Sequence, residues 1–91
     1  MLPIELASSA ARELRGLERS VRARVLVKIQ ALADEPLPPG CQTIKGWRGC
    51  YRIRVGDYRI VYKVEETAVL IVKIGHRREV YDRLAGRLRN L

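Results

Sequence analysis

The chain contains no phenylalanine, and only one tryptophan, one methionine and one histidine. Its core must therefore be built from Val, Ile, Leu, Ala and four tyrosines. The lone imidazole cannot complete a Cys/His zinc site, and the two cysteines, Cys41 and Cys50, stand at a separation that matches no metal-ligand pattern. No metal and no other cofactor is expected. The N-terminus lacks the basic start and long apolar stretch of a secretory signal, so the expected compartment is the reducing cytoplasm and the expected thiols are free. The longest apolar run, Ala68 to Val72, has five residues, against the roughly 20 that a membrane-spanning helix needs. Acidic side chains are also scarce: ten Asp and Glu face eighteen Lys and Arg, a net charge of +8. A partner is thus expected to be an anion, either nucleic acid or an acidic protein. A membrane surface is disfavoured because no basic amphipathic helix carries the charge.

What the chain does have is enough apolar material, 47% of 91 residues, for one folded domain spanning residues 1–91. Its charge is uneven. Residues 1–40 hold six basic and five acidic side chains, whereas residues 41–91 hold twelve basic and five acidic ones. The anion should meet the second half.

The pattern predicts an α+β fold. A short N-terminal strand over Leu2 to Leu6 leads to a helix from about Ser9 to Leu17, with Ser8 or Ser9 as its N-cap and Ala7, Ala10, Ala11, Leu14 and Leu17 at helical spacing. Val21, Val25, Ile29 and Leu32 mark a second helix that ends before Pro36, and its arginines and Lys28 read as a solvated face. After the proline-rich connection the apolar period changes from 3.6 to 2. Tyr51–Val55 and Tyr58–Val64 become strands around a type II′ turn at Gly56-Asp57. This turn pairs Val55 with Tyr58, Arg54 with Arg59, Ile53 with Ile60, Arg52 with Val61 and Tyr51 with Tyr62. Ala68 to Ile74 completes an antiparallel three-strand meander, with Leu70, Val72 and Ile74 on the apolar face and Lys73 beside Arg59. A short C-terminal helix over Glu79 to Leu91 would bury Val80, Leu84 and Leu88 and point Arg83, Arg87 and Arg89 outward.

The hairpin register places Arg52, Arg54 and Arg59 on one face, with Arg54 directly opposite Arg59. Like charges so paired are destabilising. Their presence points to an anion held there in the working state, unless a carboxylate elsewhere in the chain covers them. The segment Gly75-His76-Arg77-Arg78-Glu79-Val80-Tyr81 follows the third strand and brings an imidazole, a phenol and two more guanidiniums. Neither a paired-carboxylate site nor a Walker-type phosphate loop is present. Metal-free cleavage of RNA remains available, because a 2′-hydroxyl can attack its own phosphate given alignment, charge neutralisation and proton transfer. Arginines supply the first two, and His76 or Tyr81 the third. Lys45 and Arg48, in the loop before the hairpin, and Lys73 and Arg78 are candidate nucleic-acid contacts. Trp47 either stacks on a base or anchors its loop on the core.

The run Cys50-Tyr51-Arg52-Ile53-Arg54-Val55-Gly56-Asp57-Tyr58-Arg59-Ile60-Val61-Tyr62, with Val72-Lys73-Ile74-Gly75-His76-Arg77-Arg78-Glu79-Val80-Tyr81, resembles the RelE branch of the RelE/ParE toxin superfamily. The order of elements resembles it over nearly the whole chain. This resemblance implies a RelE-like microbial RNase fold and a toxin of a type II toxin–antitoxin pair that cuts mRNA in the ribosomal A site, by metal-free 2′-OH attack, to leave a 2′,3′-cyclic phosphate. It implies Arg52 and Arg54 as the basic pair of the first hairpin strand, Arg59 as the phosphate clamp, Arg77 as the transition-state arginine and Tyr81 as the stacking or proton-transferring tyrosine. Well-studied members carry lysines where Arg52 and Arg54 stand, and arginine does not give up its proton. A base role would therefore move to His76 or Tyr81. The implied partners are a RelB-like antitoxin, mRNA and the ribosome with its RNA, and operator DNA only through the antitoxin. Two other readings are a ParE-like inhibitor that binds DNA gyrase without cutting RNA and a plain nucleic-acid-binding module.

Overall fold

Leu2 and the residues after it leave the N-terminus as an extended segment, because Pro3 disfavours helix there and Ile4 can pair with a distant strand. In the computed structural model, which describes residues 1–91, β1 (Ile4–Leu6) is followed by α1 (Ser8–Arg15) and α2 (Arg19–Ala31). The second half forms β2 (Gln42–Thr43), β3 (Cys50–Val55), β4 (Tyr58–Val64), β5 (Val69–His76) and α3 (Leu84–Arg89). The fold is α+β, and its one sheet runs in the order β1-β5-β4-β3-β2.

The helical starts use other groups than the expected serine cap. Ala7 precedes α1 and its methyl group offers no cap; its N–H is still paired with the sheet, donating to the Ile71 carbonyl of β5 at 2.9 Å, and Ser8 has already entered the helix. The cap of α2 is Glu18, whose carboxylate accepts from the N–H groups of Ser20 and Val21 at 3.2 and 3.4 Å. These bonds satisfy donors that the first helical turn leaves open. The Ser20 hydroxyl also donates to it, at 2.6 Å, and holds the Glu18 carboxyl below its ordinary range.

The sheet separates two apolar clusters. On one face Ala10, Val25, Ile29 and Leu32 from the helices pack on Ile53, Val55, Ile60, Tyr62, Val69, Ile71 and Ile74. On the other, Cys50, Val61 and Val72 meet Val80, Leu84 and Leu88 from the C-terminal segment, with Trp47 against them. Trp47 thus anchors its loop. The tyrosine that fills space a phenylalanine would otherwise take is Tyr62, fully buried with its hydroxyl donating to the Pro36 carbonyl at 2.7 Å. That bond also ties down the proline-rich connection.

Several expectations are corrected. The sheet is a mixed one of five strands rather than a three-strand meander: β1 pairs in parallel with Val69–Ile71, and Gln42–Thr43 pairs with Arg52 and Tyr51. The third meander strand reaches His76, and a bulge between Val61 and Tyr62 shifts its register. Lys73 therefore lies opposite Val61, and Gly75 takes the place opposite Arg59. The bulge also turns two consecutive residues, Val72 and Lys73, toward the C-terminal segment, so Val69 and Ile71 face the helices in place of Leu70 and Val72. At the C-terminus, helix begins only at Leu84. Arg83 holds a left-handed φ of 58°, which a helix interior does not admit.

Arg87 points inward, not outward. It grips Glu13 of α1 through Nη1 and Nη2 at 3.1 and 2.8 Å and donates to the Val72 carbonyl at 2.6 Å. Glu13 in turn accepts the Ile74 N–H at 3.1 Å. Past Ile71 no strand covers β5 on this side, and the ion pair occupies its free polar groups.

Ile60 lies fully buried at the centre of β4. Ile60→Ala should cost about 2–5 kcal/mol, read as a lower urea midpoint with an unchanged denaturant slope.

Candidate active site

A two-residue turn fixes the register of everything around it. Gly56 adopts a φ of 58° and Asp57 does not share the positive φ, the combination that a type II′ hairpin requires. The pairing that follows is the one expected throughout: Val55 with Tyr58, Arg54 with Arg59, Ile53 with Ile60, Arg52 with Val61 and Tyr51 with Tyr62. Arg52, Arg54 and Arg59 thus share one face. No carboxylate lies within 4.0 Å of any of them.

Neutral groups orient two of these guanidiniums. Arg52 donates through Nε and Nη2 to the Gln42 side-chain carbonyl at 3.0 and 2.7 Å, and its Cζ lies 5.3 Å from the centre of the Tyr81 ring. A planar cation over an aromatic face is attracted by the ring quadrupole. Arg59 folds back to donate to the carbonyls of Gly56 and Tyr58 at 3.1 and 2.9 Å. Arg54 stays exposed. Arg77 joins at the turn: its N–H donates to the Asp57 carbonyl at 2.7 Å, and its Nε stands 3.6 Å from the Asp57 carboxylate. The turn therefore collects Arg59 and Arg77 on one small loop.

Tyr81 and His76, the two expected proton carriers, separate. Tyr81 is part exposed and reaches the arginine face. His76 lies opposite Tyr58, whose ring it meets edge-on at 5.6 Å, and it lines a cleft at the free edge of β5 between Glu13, Gly16 and Leu17 on one side and Lys73, Val80 and Arg87 on the other. Its Nδ1 accepts the Arg78 N–H at 3.2 Å. Strand alternation accounts for the split, since Tyr58 shares a face with Ile60 and Tyr62 and not with Arg59.

Of the expected nucleic-acid contacts, Lys45, Arg48 and Arg78 are exposed. Lys73 is not: it is buried and donates to the Asp82 carbonyl. Burial, reinforced by the neighbouring charge of Arg87, holds its ammonium below the ordinary lysine range. Its bond fixes the turn that carries Tyr81. Three residues missed in the sequence complete the site: Gln42, Asp57 and, through Arg87, Glu13. Asp57 stands beside the arginines within the Gly-Asp-Tyr-Arg motif and was legible there, while Gln42 belongs to a strand too short to show a period.

A family model described as the ParE toxin of type II toxin–antitoxin systems matches residues 4–81. The chain belongs to the RelE/ParE toxin superfamily. Within it the likeness is to the RelE branch. Toxin RelG of Mycobacterium tuberculosis is 30% identical over 83 residues, spanning 88% of this chain and 95% of that relative. The RelE chain in the RelB–RelE antitoxin–toxin complex of Methanococcus jannaschii is 27% identical with a TM-score of 0.72, covering 86% of this chain and 95% of that one. A free double-arginine mutant of E. coli RelE, 21% identical, matches in fold with a TM-score of 0.81 over 99% and 97% of the two chains.

In this RelE-type toxin, the buried Lys73 makes stability depend on pH in a definite direction. Its native pKa lies below the ordinary value of 10.5, so between the two the unfolded chain binds more protons and stability rises with pH. The stability of the parent relative to Lys73→Met should therefore increase with pH across that window, as measured by paired urea titrations.

Proposed function

We propose that this toxin is a metal-independent endoribonuclease, an mRNA interferase that cuts mRNA in the ribosomal A site and so inhibits translation. The observation that carries the reading is the gathering of Arg52, Arg54 and Arg59 on one face without a carboxylate partner, with Tyr81 against Arg52 and Arg77 at the adjoining turn. Asp57 alone touches the set, and at 3.6 Å from an exposed Arg77 it is an ion pair that a phosphate can displace.

In the reaction the 2′-oxygen forms a bond to the adjacent phosphorus as the bond from phosphorus to the 5′-oxygen breaks. The products are a 2′,3′-cyclic phosphate and a 5′-hydroxyl. Arg59 and Arg54 hold the non-bridging oxygens, and Arg77 meets the charge that grows in the transition state. An arginine cannot accept the 2′-proton, and His76 faces the helices. Tyr81 is the group left to relay it, its hydroxyl oxygen taking the 2′-proton as its own proton passes to the departing 5′-oxygen, with Arg52 over the ring. Lys45, Arg48 and Arg78 supply outer contacts to mRNA or ribosomal RNA.

We infer a RelB-type antitoxin as the protein partner, a reading supported by the M. jannaschii relative solved as a RelB–RelE complex. An acidic antitoxin would neutralise the basic half of the chain, and operator DNA would be reached only through it. The toxin would act in the cytoplasm, as one domain over residues 1–91 and without a membrane partner.

Mapping mRNA 5′ ends after induction tests the reading. Cuts inside translated codons are expected, whereas intact mRNA with inhibited gyrase would establish the ParE-like alternative that the family model's description raises. Arg59→Ala or Arg77→Ala should abolish growth inhibition while antitoxin binding persists. In single-turnover cleavage on programmed ribosomes, Tyr81→Phe should slow the chemical step by about 10²–10⁴ and His76→Ala should not. The reverse order would remove Tyr81 from the chemistry.

A further inference from the structure

The helical hairpin carries cations that the reaction above leaves unused. Arg24 and Lys28 stand four residues apart on α2, on one side of the helix and about 5–6 Å apart at Cβ. They flank the buried Val25 and Ile29, which press α2 on the sheet. Arg24 leans on the hairpin turn so closely that a Cβ added to Gly56 would lie 2.5 Å from its Nη2. Lys28 lines a groove of about 700 Å³ with Leu32, Glu35, Gln42, Arg54 and Arg59. This groove exists because β2 pairs only with Arg52 and Tyr51, which leaves the outer edge of β3 uncovered at Arg54. The one carboxylate lining it is Glu35, and no acid lies within 4.0 Å of Arg24 or Lys28.

We propose that this groove is a second binding surface for single-stranded RNA, in which Lys28 contacts a backbone phosphate next to the one held by Arg54 and Arg59 and Arg24, just outside the lining at the hairpin turn, contacts a further one. The inference rests on the nuclease reading. The groove opens directly on the Arg54–Arg59 pair, so a strand bound there continues along α2, and the two cations in a row suit successive phosphates. These contacts carry no sequence information and act on binding.

The experiment compares Lys28→Gln and Arg24→Gln/Lys28→Gln with Arg12→Gln/Arg15→Gln, which removes the same charge outside the groove. Each is measured for binding of a single-stranded oligoribonucleotide over a salt series and for cleavage on programmed ribosomes. The slope of log affinity against log salt should fall by about 0.7 for each lost phosphate contact, and the loss in cleavage should fall on KM rather than kcat. Lys28→Gln alone keeps the test independent of the turn on which Arg24 rests. Groove variants indistinguishable from the Arg12/Arg15 control would overturn the proposal while leaving the nuclease reading intact. Weaker binding of an acidic antitoxin with RNA binding unchanged would assign the groove to a protein and overturn it too. A parent toxin that neither binds nor cuts RNA would fail the nuclease reading itself.

Discussion

The contact on which the site depends is the ion pair between Glu13 and Arg87. A sheet edge left open in a small domain exposes backbone groups that must find partners or water. Here β1 covers only three residues of β5, and beyond them Glu13 takes the Ile74 N–H while Arg87 takes the Val72 carbonyl. The pair draws α1 and α3 to one strand from opposite sides of the sheet. With α3 fixed, Leu84 and Leu88 close over Val61 and Val72, and the preceding turn carries Tyr81 to Arg52. Lys73 secures that turn from below.

The three hairpin arginines are organised without counterions, and only Arg77 at the turn has one, Asp57. Each oriented guanidinium is held by a neutral acceptor, the Gln42 amide for Arg52 and turn carbonyls for Arg59. Such bonds fix direction but leave the positive charge uncompensated, so repulsion between Arg54 and Arg59 persists until an anion binds. On the nuclease reading, a phosphate bound there would relieve that repulsion.

The hairpin was legible residue by residue because Gly56-Asp57 admits one tight turn, and a side-chain period of two then leaves no freedom. The two-helix unit was legible from its apolar spacing. Other features were hidden for physical reasons. A two-residue strand has no period, so Gln42 could not be placed. A bulge breaks the period where it would be read, so Lys73 and Val72 were assigned to the wrong neighbours. The arginines of α2 look like any solvated helical face until the tertiary structure sets Arg24 against Gly56. His76 was grouped with the arginines by its nearness in sequence, whereas strand alternation puts neighbours on opposite sides.

The parallel pairing of β1 with β5 joins the first strand of the chain to the last, Ile4 to Val69. Contacts between residues so distant in sequence form late, since a long loop must close first. A growing chain has no partner for Ile4 until β5 has been made, and Tyr81 and Arg87 follow later still. The arginine face therefore meets Tyr81, and β5 gains its clamp from Arg87, only after the segment that follows β5 has been made, so the hairpin exists before the site it belongs to.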